Sequence, residues 1–124
     1  MSAYDHEVLS KTIYEEARGE PEVGQEWVGH VIMNRARQRG ISIAEVCLQP
    51  YQFECWNGRA PGDLQIRESG AYEVSKRVAR MVMNRTHDPT GGCDHYNNPT
   101  NENADWVNRV TFVRQIGGHH FYRA

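Results

Sequence analysis

The amino-acid sequence predicts a mainly α-helical domain of the α+β class that ends in a small β-hairpin. Apolar residues recur at helical spacing in three long segments between residues 3 and 84. The tail after residue 109 instead holds two short runs of strand-forming residues around a Gly-Gly pair. The 124 residues contain no internal repeat, low-complexity tract or linker, and this length suits one hydrophobic core. We therefore expect a single domain over residues 1–124.

Four helices are predicted in the first two thirds of the chain, over residues 3–18, 22–39, 43–48 and 67–84. Ser2 with Asp5, and Ser42 with Glu45, have the spacing of a capping box, which starts the first and third helices. Glycines follow the first two helices, and a proline follows the third. Pro21 stands where the start of a helix tolerates proline, so it is compatible with the second helix.

The apolar faces predict how these helices pack. The second helix is apolar around much of its circumference and is expected to be central; its apolar residues are Trp27, Val28, Val31, Ile32 and Met33. The last long helix has a narrower stripe of Ala71, Val74, Val78, Met81 and Val82. Residues 51–62 have no period and are predicted to be a loop, whereas Trp106 is expected in one short helical turn. The hairpin strands are predicted over residues 110–116 and 119–122.

Glu16 is the most informative residue, because it falls on the apolar face of the first helix. That face is defined by Val8, Leu9, Thr12 and Ile13. An advance of about 100° per residue places Glu16 near the middle of the face and Glu15 at its edge. Burial of an ionised carboxylate is costly, so a half-buried Glu has a raised proton affinity, which suits a general acid. The alternative is a structural Glu that an arginine such as Arg18 or Arg35 holds.

The composition argues against several classes of function. A formal net charge of −2 gives no long-range field to hold nucleic acid or an anionic membrane. No apolar run approaches the roughly 20 residues of a membrane-spanning helix, and the N-terminus has no signal-peptide pattern. We therefore expect a monomer that is synthesised in the cytoplasm, binds no nucleic acid and does not insert into a membrane. The cysteines Cys47, Cys55 and Cys93 include no C-x-x-C pair and are expected to be reduced, with a Cys47–Cys55 bridge as the alternative.

Landmarks along nearly the whole chain resemble those of a known family. They are, in order, Tyr14–Pro21, Gly24-Gln25, Val31–Arg35, Tyr51–Phe53, Cys55-Trp56, Asp88–Gly92, Tyr96–Pro99, Trp106 and Ile116–Tyr122. This ordered set is similar to the cell-wall hydrolases typified by the spore-cortex-lytic enzyme SleB. The resemblance implies a compact lysozyme-like domain that cleaves peptidoglycan glycan strands between N-acetylmuramic acid and N-acetylglucosamine. It also implies a lytic transglycosylase that leaves a 1,6-anhydro end, with an N-acetylmuramidase as the alternative.

The resemblance assigns the catalytic residue as well. The family's catalytic glutamate matches Glu16, and Glu15 is then a solvated neighbour. Glycoside hydrolysis usually needs a second carboxylate, about 5–5.5 Å or about 6.5–9.5 Å from the first. Asp88 and Asp94 are the candidates, although both lie in turn-rich sequence. A lytic transglycosylase needs only one carboxylate, because the C6 hydroxyl of muramic acid supplies the nucleophile.

Side chains that can bind a sugar are predicted from the loops. Amide, hydroxyl and aromatic groups of the right types occur at Gln52, Trp56, Asn57, Thr90, Tyr96 and Asn97. Trp and Tyr in a domain of this size lie more often in the core, where we also expect Phe53. The resemblance favours Gln52, Thr90 and Tyr96 among the candidates. Glu20 is expected either to cap the second helix or to form a hydrogen bond in the cleft.

Two other functions are alternatives. A zinc-dependent peptidoglycan amidase would need ligands such as Cys93, Asp94, His95, His119 and His120. Consecutive histidines on a strand point to opposite faces and no H-E-x-x-H pattern occurs, so no metal or other cofactor is expected. A non-catalytic glycan-binding module would leave Glu16 unexplained. A short catalytic domain without a leader resembles a phage endolysin, which stays in the host cytoplasm until lysis; an exported enzyme whose leader is missing from this sequence is the alternative.

Overall fold

The computed structural model describes residues 1–124 and confirms the fold class, with four α-helices followed by a small antiparallel sheet. The helices are α1 (Ala3–Ala17), α2 (Glu22–Arg39), α3 (Ile43–Leu48) and α4 (Ser69–Asn84). The strands are β1 (His95–Asn97), β2 (Thr111–Ile116) and β3 (His119–Arg123). Short 3₁₀ turns lie at Glu54–Trp56, Pro61–Asp63 and Asp105–Arg109. Trp106 is in the last of these turns, as predicted, whereas the first two lie in the segment that was predicted to be an irregular loop.

Both predicted capping boxes form, and one of them also ties two helices together. The Ser2 side chain accepts a hydrogen bond from the Asp5 amide at 3.1 Å, and Asp5 accepts one from the Ser2 amide at 3.1 Å. Ser42 and Glu45 repeat this exchange at the start of α3. The second carboxylate oxygen of Asp5 accepts a hydrogen bond from the Ala44 amide at 3.0 Å. Asp5 therefore stabilises the start of α1 and fixes α3 against it.

The core forms where α1 packs between the other three helices. The predicted apolar face of α1 is buried, since Val8, Leu9, Thr12 and Ile13 have no exposed surface. Helix α2 crosses it closely at Gly29, where an added Cβ would lie 3.2 Å from a Val82 methyl carbon and 3.3 Å from Cδ1 of Ile13. Such a close approach leaves little room for a side chain at this position. The three cysteines are free, and Cys47 and Cys93 are buried.

Helix α4 begins two residues later than the sequence predicts. The hydroxyl of Tyr14 accepts hydrogen bonds from the backbone amides of Arg67 at 3.3 Å and Glu68 at 3.0 Å. These amides are bound by a side chain from α1, and the regular helix starts at Ser69. The position of this helix start was therefore set by a tertiary contact. No helix of the protein combines the length and apolarity needed to cross a membrane.

The C-terminal sheet has three strands, so the predicted hairpin is correct but incomplete. Its order is β1-β3-β2, and both pairings are antiparallel. The two-residue turn between β2 and β3 includes Gly117, whose φ of 56° favours glycine. Strand β1 has only three residues among turn-forming neighbours, and therefore gave no period in the sequence. Its pairing with β3 places Tyr96 opposite Phe121.

Candidate active site

Glu16 lies in the last turn of α1, partly buried, with one hydrogen-bond donor. Its carboxylate accepts a hydrogen bond from the hydroxyl of Tyr96, which comes from β1. Glu16 makes no ion pair: Nε of Arg18 donates to Glu68 at 2.5 Å, and Nε of Arg35 donates to the backbone carbonyl of Asp94 at 2.8 Å. Neither arginine therefore holds Glu16 in an ion pair.

The surroundings of Glu16 raise its proton affinity. Burial raises the pKa of Glu16 above its usual value, and the negative charges of Glu102 and Glu15 add to this effect. The hydrogen bond from Tyr96 and the positive charge of Arg35 lower the pKa but do not cancel the effect of burial. Burial and the Glu16 charge raise the pKa of Tyr96 well above its usual value, so the phenol remains a hydrogen-bond donor. The site thus favours a carboxylic acid that can give up a proton.

Arg35 acts on this acid through its charge and also binds Gln52. Arg35 is a cation whose charge reaches both Glu16 and Tyr96. Nη1 of Arg35 lies 3.4 Å from Oε1 of Gln52, and Nη1 of Arg39 lies 3.0 Å from the same oxygen. The oxygen of Gln52 is therefore occupied, while its amide nitrogen has no partner within the chain. Its N–H groups are therefore free to donate, and the contact of Gln52 with substrate stays a prediction.

His119 lies beside Tyr96 and the charge of Glu102 reaches Glu16, and the sequence predicted neither proximity. His119 is buried on β3, its ring centroid is 5.0 Å from that of Tyr96, and its Nδ1 has no hydrogen-bond partner. Burial lowers the pKa of His119, which the charges of Glu20 and Glu102 oppose. Glu102 occupies an exposed Asn-rich loop without a period, so no sequence signal predicted its proximity to Glu16. The proximity of Glu102 to Glu16 joins distant parts of the chain and depends on the tertiary structure.

Thr90 and Asn97, two predicted sugar-binding residues, are used inside the protein. Thr90 is 2% exposed, donates to Asp88 at 2.7 Å and accepts from the amide of Cys93 at 3.1 Å. Asn97 is 2% exposed and accepts a hydrogen bond from the Tyr122 hydroxyl at 2.9 Å. Their polar groups stabilise the loop before β1 and the sheet itself. Burial satisfies their polar groups inside the protein, and a direct contact of either residue with substrate stays a prediction.

Trp56 also lies in the core rather than open as an aromatic platform. It is 5% exposed, and its indole Nε1 donates to the Thr12 hydroxyl at 2.9 Å. The small accessible part of the indole lines a surface groove. Phe53 is 4% exposed and belongs to the core, as expected. Most of this large ring is buried in the core, so Trp56 presents no open platform here, and its contact with substrate stays a prediction.

Glu20 does not cap α2, and its carboxylate is bound by the turn between β2 and β3. The residue that precedes α2 is Pro21, and no side chain caps this helix. The Glu20 carboxylate accepts a hydrogen bond from the amide of Gly118 at 2.9 Å. A Cβ on Gly117 would clash with Oε1 of Glu20, so a side chain at this position would displace the Glu20 carboxylate. Glu20 therefore joins the sheet to the helical part of the protein.

The two aspartates that could have supplied a second carboxylate are fully engaged elsewhere. Asp88 accepts hydrogen bonds from Asn34 at 2.9 Å, from Thr90 and from the amide of Gly92 at 2.8 Å. Burial raises the pKa of Asp88, but these bonds outweigh it and the pKa lies below its usual value. Asp94 is similarly held by His95, by Gln38 and by the amide of the C-terminal residue. Neither carboxylate contacts Glu16.

The residues with metal-ligand side chains do not converge. His119 and His120 project from opposite faces of β3, as the strand geometry predicts, so they cannot share a ligand set. Asp94 and His95 pair with each other at 2.9 Å. No group of three or more His, Cys, Asp or Glu side chains is arranged to hold a metal ion. The ligand set that a zinc amidase would use is not assembled by these residues.

The fold and the site are those of a small helical enzyme domain that presents one partly buried carboxylic acid beside a tyrosine and an arginine. The family model for Cell Wall Hydrolase matches residues 19–122, and the chain belongs to this family. Glu16 lies just before the matched stretch. The family that the sequence landmarks resemble is thereby confirmed.

Solved structures of similar fold extend the comparison to nearly the whole chain. The catalytic domain of the germination-specific lytic transglycosylase SleB from Bacillus anthracis has a TM-score of 0.81 and 27% identity, over 99% of this chain and 97% of that one. The catalytic domain of the Bacillus cereus SleB protein has a TM-score of 0.80 and 27% identity, over 98% of this chain and 91% of that one.

Curated relatives are spore cortex-lytic enzymes. The enzyme from Halalkalibacterium halodurans is 30% identical over 94% of this chain and 34% of its own length. The enzyme from Bacillus subtilis strain 168 is 29% identical over 98% of this chain and 38% of its own length. The chain therefore spans well under half the length of these relatives.

Proposed function

We propose that this chain cleaves the glycan strands of bacterial peptidoglycan and that Glu16 is the general acid and then the general base. The observation that carries the proposal is the state of Glu16: a partly buried carboxylate with a raised pKa, one tyrosine donor and no ion pair. An acid in this state is protonated at higher pH than an exposed Glu and can deliver a proton. Support also comes from similarity to proteins described as spore cortex-lytic enzymes and as a lytic transglycosylase.

The reaction needs two proton transfers by the same carboxyl group. Glu16 first protonates the glycosidic oxygen between N-acetylmuramic acid and N-acetylglucosamine, and the C1–O bond breaks as positive charge develops on the muramic ring. The Glu16 carboxylate then accepts the proton of the C6 hydroxyl while the C6 oxygen bonds to C1. The products are a 1,6-anhydro-muramic end and a free C4 hydroxyl on the neighbouring sugar, and no water is consumed.

The neighbours of Glu16 suit both steps. The Tyr96 hydroxyl binds Oε1 of Glu16, so it fixes the carboxyl plane and leaves Oε2 without a donor from the chain. Arg35 stabilises the carboxylate that forms after the first proton transfer, since its charge lowers the pKa of Glu16. The amide nitrogen of Gln52 is free to donate to a sugar oxygen or an N-acetyl carbonyl.

We expect the anhydro product rather than the hydrolysis product, because the chain offers no well-placed second carboxylate to activate water. Asp88 and Asp94 are engaged in the loop before β1 and in the sheet. Apart from the adjacent Glu15, Glu102 is the acid whose charge reaches Glu16. An N-acetylmuramidase would have to use Glu102 to position water, which makes that residue the discriminating mutant.

The products of digestion test the proposal directly. Purified peptidoglycan digested by the protein is expected to yield muropeptides with 1,6-anhydro-muramic ends in mass spectrometry, and the Glu16→Gln variant is expected to yield none. Reducing muramic ends would overturn the transglycosylase proposal, and their loss in Glu102→Gln would then favour hydrolysis. Released stem peptides with intact glycan, together with activity that chelator removes and zinc restores, would instead establish the amidase alternative.

A further inference from the structure

A surface groove of about 630 Å³ lies beside the loop that follows α3. Apolar atoms of Leu48, Tyr51 and Trp56 line it together with the polar side chains of Gln49, Asn57 and Arg59. Sites for carbohydrate combine a flat apolar face with amide and hydroxyl hydrogen-bonders, because a pyranose ring has C–H faces and a polar rim. The composition of this groove therefore fits a sugar ring.

Tyr51 is the unusual member of the groove. Its side chain is 88% exposed, makes no hydrogen bond and stacks on no other ring, so it adds little to the stability of the fold. Its φ of 63° makes it the one residue other than glycine in the left-handed region. An aromatic residue in this region is strained relative to glycine. A strained, exposed ring with no partner points to a role in binding.

The groove is linked to the neighbours of Glu16 through Arg59 and Gln52. Arg59 borders both this groove and the polar cleft that contains Glu15, the residue beside Glu16. Gln52, the residue after Tyr51, is held by Arg35, whose charge reaches Glu16. Tyr51 is thus adjacent in the chain to a side chain that is bound by a cation near Glu16.

We propose that Tyr51 is an aromatic platform for an amino-sugar ring of the glycan strand, in a subsite remote from the bond that is cleaved. This inference rests on the proposed function, since it takes the same polymer as substrate. One face of the pyranose lies on the phenol ring, and Asn57 and Gln49 are placed to bind the hydroxyl or N-acetyl groups at its edge. Binding remote sugars holds the strand in register for cleavage.

Co-sedimentation with insoluble peptidoglycan tests the platform in the Glu16→Gln background, where no substrate is consumed. Tyr51→Ala is expected to weaken binding by about threefold to tenfold, and Tyr51→Phe is expected to bind within about twofold of the parent. Tyr4→Ala is the matched control, because Tyr4 is a 50% exposed tyrosine at the start of α1. It is expected to leave binding unchanged.

Tyr51→Gly separates binding from stability. Glycine relieves the left-handed strain, so this variant is expected to melt at the same or a higher temperature while it binds as weakly as Tyr51→Ala. A lower melting temperature with parallel loss of binding would show a structural role and overturn the inference, as would binding of Tyr51→Ala within twofold of the parent. Failure of the parent to sediment with peptidoglycan would overturn it too.

The proposed function can fail separately from the platform. If the wild-type protein leaves peptidoglycan uncut while the Tyr51 variants still bind more weakly, the groove is a sugar-binding site and the catalytic proposal is wrong. If the wild-type protein cuts and Tyr51→Ala binds normally, the catalytic proposal stands and the platform is wrong.

Discussion

Glu16 and Asp88 are both partly buried carboxylates, and their surroundings give them opposite properties. Glu16 at the end of α1 has one donor, from Tyr96, and its pKa is raised. Asp88 before β1 has donors from Asn34, Thr90 and Gly92, and its pKa is lowered. Burial acts in the same direction on both residues, so the supply of donors decides the sign of the shift.

The comparison separates a reactive acid from a structural one. A carboxylate that several N–H groups bind is stable as an anion and holds a loop together, but it has no proton to give at neutral pH. A carboxylate with one donor retains its proton more readily and has an oxygen open to substrate. The same chemical group is therefore able to give up a proton at Glu16 and holds a loop together at Asp88.

The largest effect is expected for Glu16→Gln. Removal of the general acid should reduce peptidoglycan lysis by at least about 10²–10⁴-fold, while circular dichroism shows an unchanged fold. Turbidity of a cell-wall suspension measures the rate. Glu15→Gln is the control, because Glu15 lies beside Arg18 at 4.0 Å and is expected to keep activity within a few-fold. Lysis by Glu16→Gln at a comparable rate would remove Glu16 from the mechanism.

Asp88→Ala is expected to change stability rather than chemistry. It leaves the Asn34 amide and the amides of Thr90 and Gly92 without their acceptor, at a cost of about 2–4 kcal/mol. Urea denaturation measures this loss, and activity per folded molecule should be retained well below the melting temperature. The folded pKa of Asp88 is lowered, so its contribution is present above the unfolded pKa and is lost as pH falls through the folded value.

A stability loss for Asp88→Ala that did not shrink at acid pH would contradict the assigned role. A folded variant without lytic activity would place Asp88 in the reaction and break the contrast with Glu16.

Tyr96→Phe tests the single donor to Glu16. This hydrogen bond lowers the pKa of Glu16, so its removal should raise that pKa further. Activity that needs the protonated acid falls as pH rises through this pKa. We therefore expect the alkaline limb of kcat/KM to move to higher pH, with a rate loss of about tenfold or less from poorer orientation. An alkaline limb at the wild-type pH would show that another group controls it.

The smallest effect is expected in the stability of Glu16→Gln. The folded pKa of Glu16 is raised, so its favourable contribution is present below the unfolded pKa and is lost as pH rises through the folded value. Glutamine has no such loss and can still accept from Tyr96. Differential scanning calorimetry should show a melting temperature a few degrees above wild type at neutral pH and a smaller gain near pH 4. A gain that is constant with pH would contradict the raised pKa.

The sequence predicted Glu16 because its position depends on a local rule. A period of 3.6 residues carries the apolar face from Val8 and Leu9 to Glu16, and the structure retains that face. Trp56 and Asn97 were predicted from side-chain chemistry, and both are buried. Residue type shows what a side chain can bind, but burial depends on the whole chain. Synthesis in the cytoplasm, a phage setting and a monomeric state stay predictions.

The sequence by itself determined the helices, their capping boxes, the hairpin turn and the face of α1 that holds Glu16. These features follow from interactions between residues a few positions apart. Only the tertiary structure decided what surrounds the acid. Tyr96 reaches Glu16 from 80 residues further along the chain, and Glu20 binds Gly118 from 98 residues before it. Such contacts depend on β1 pairing with β3 and on the sheet docking against the helices, which no local pattern specifies.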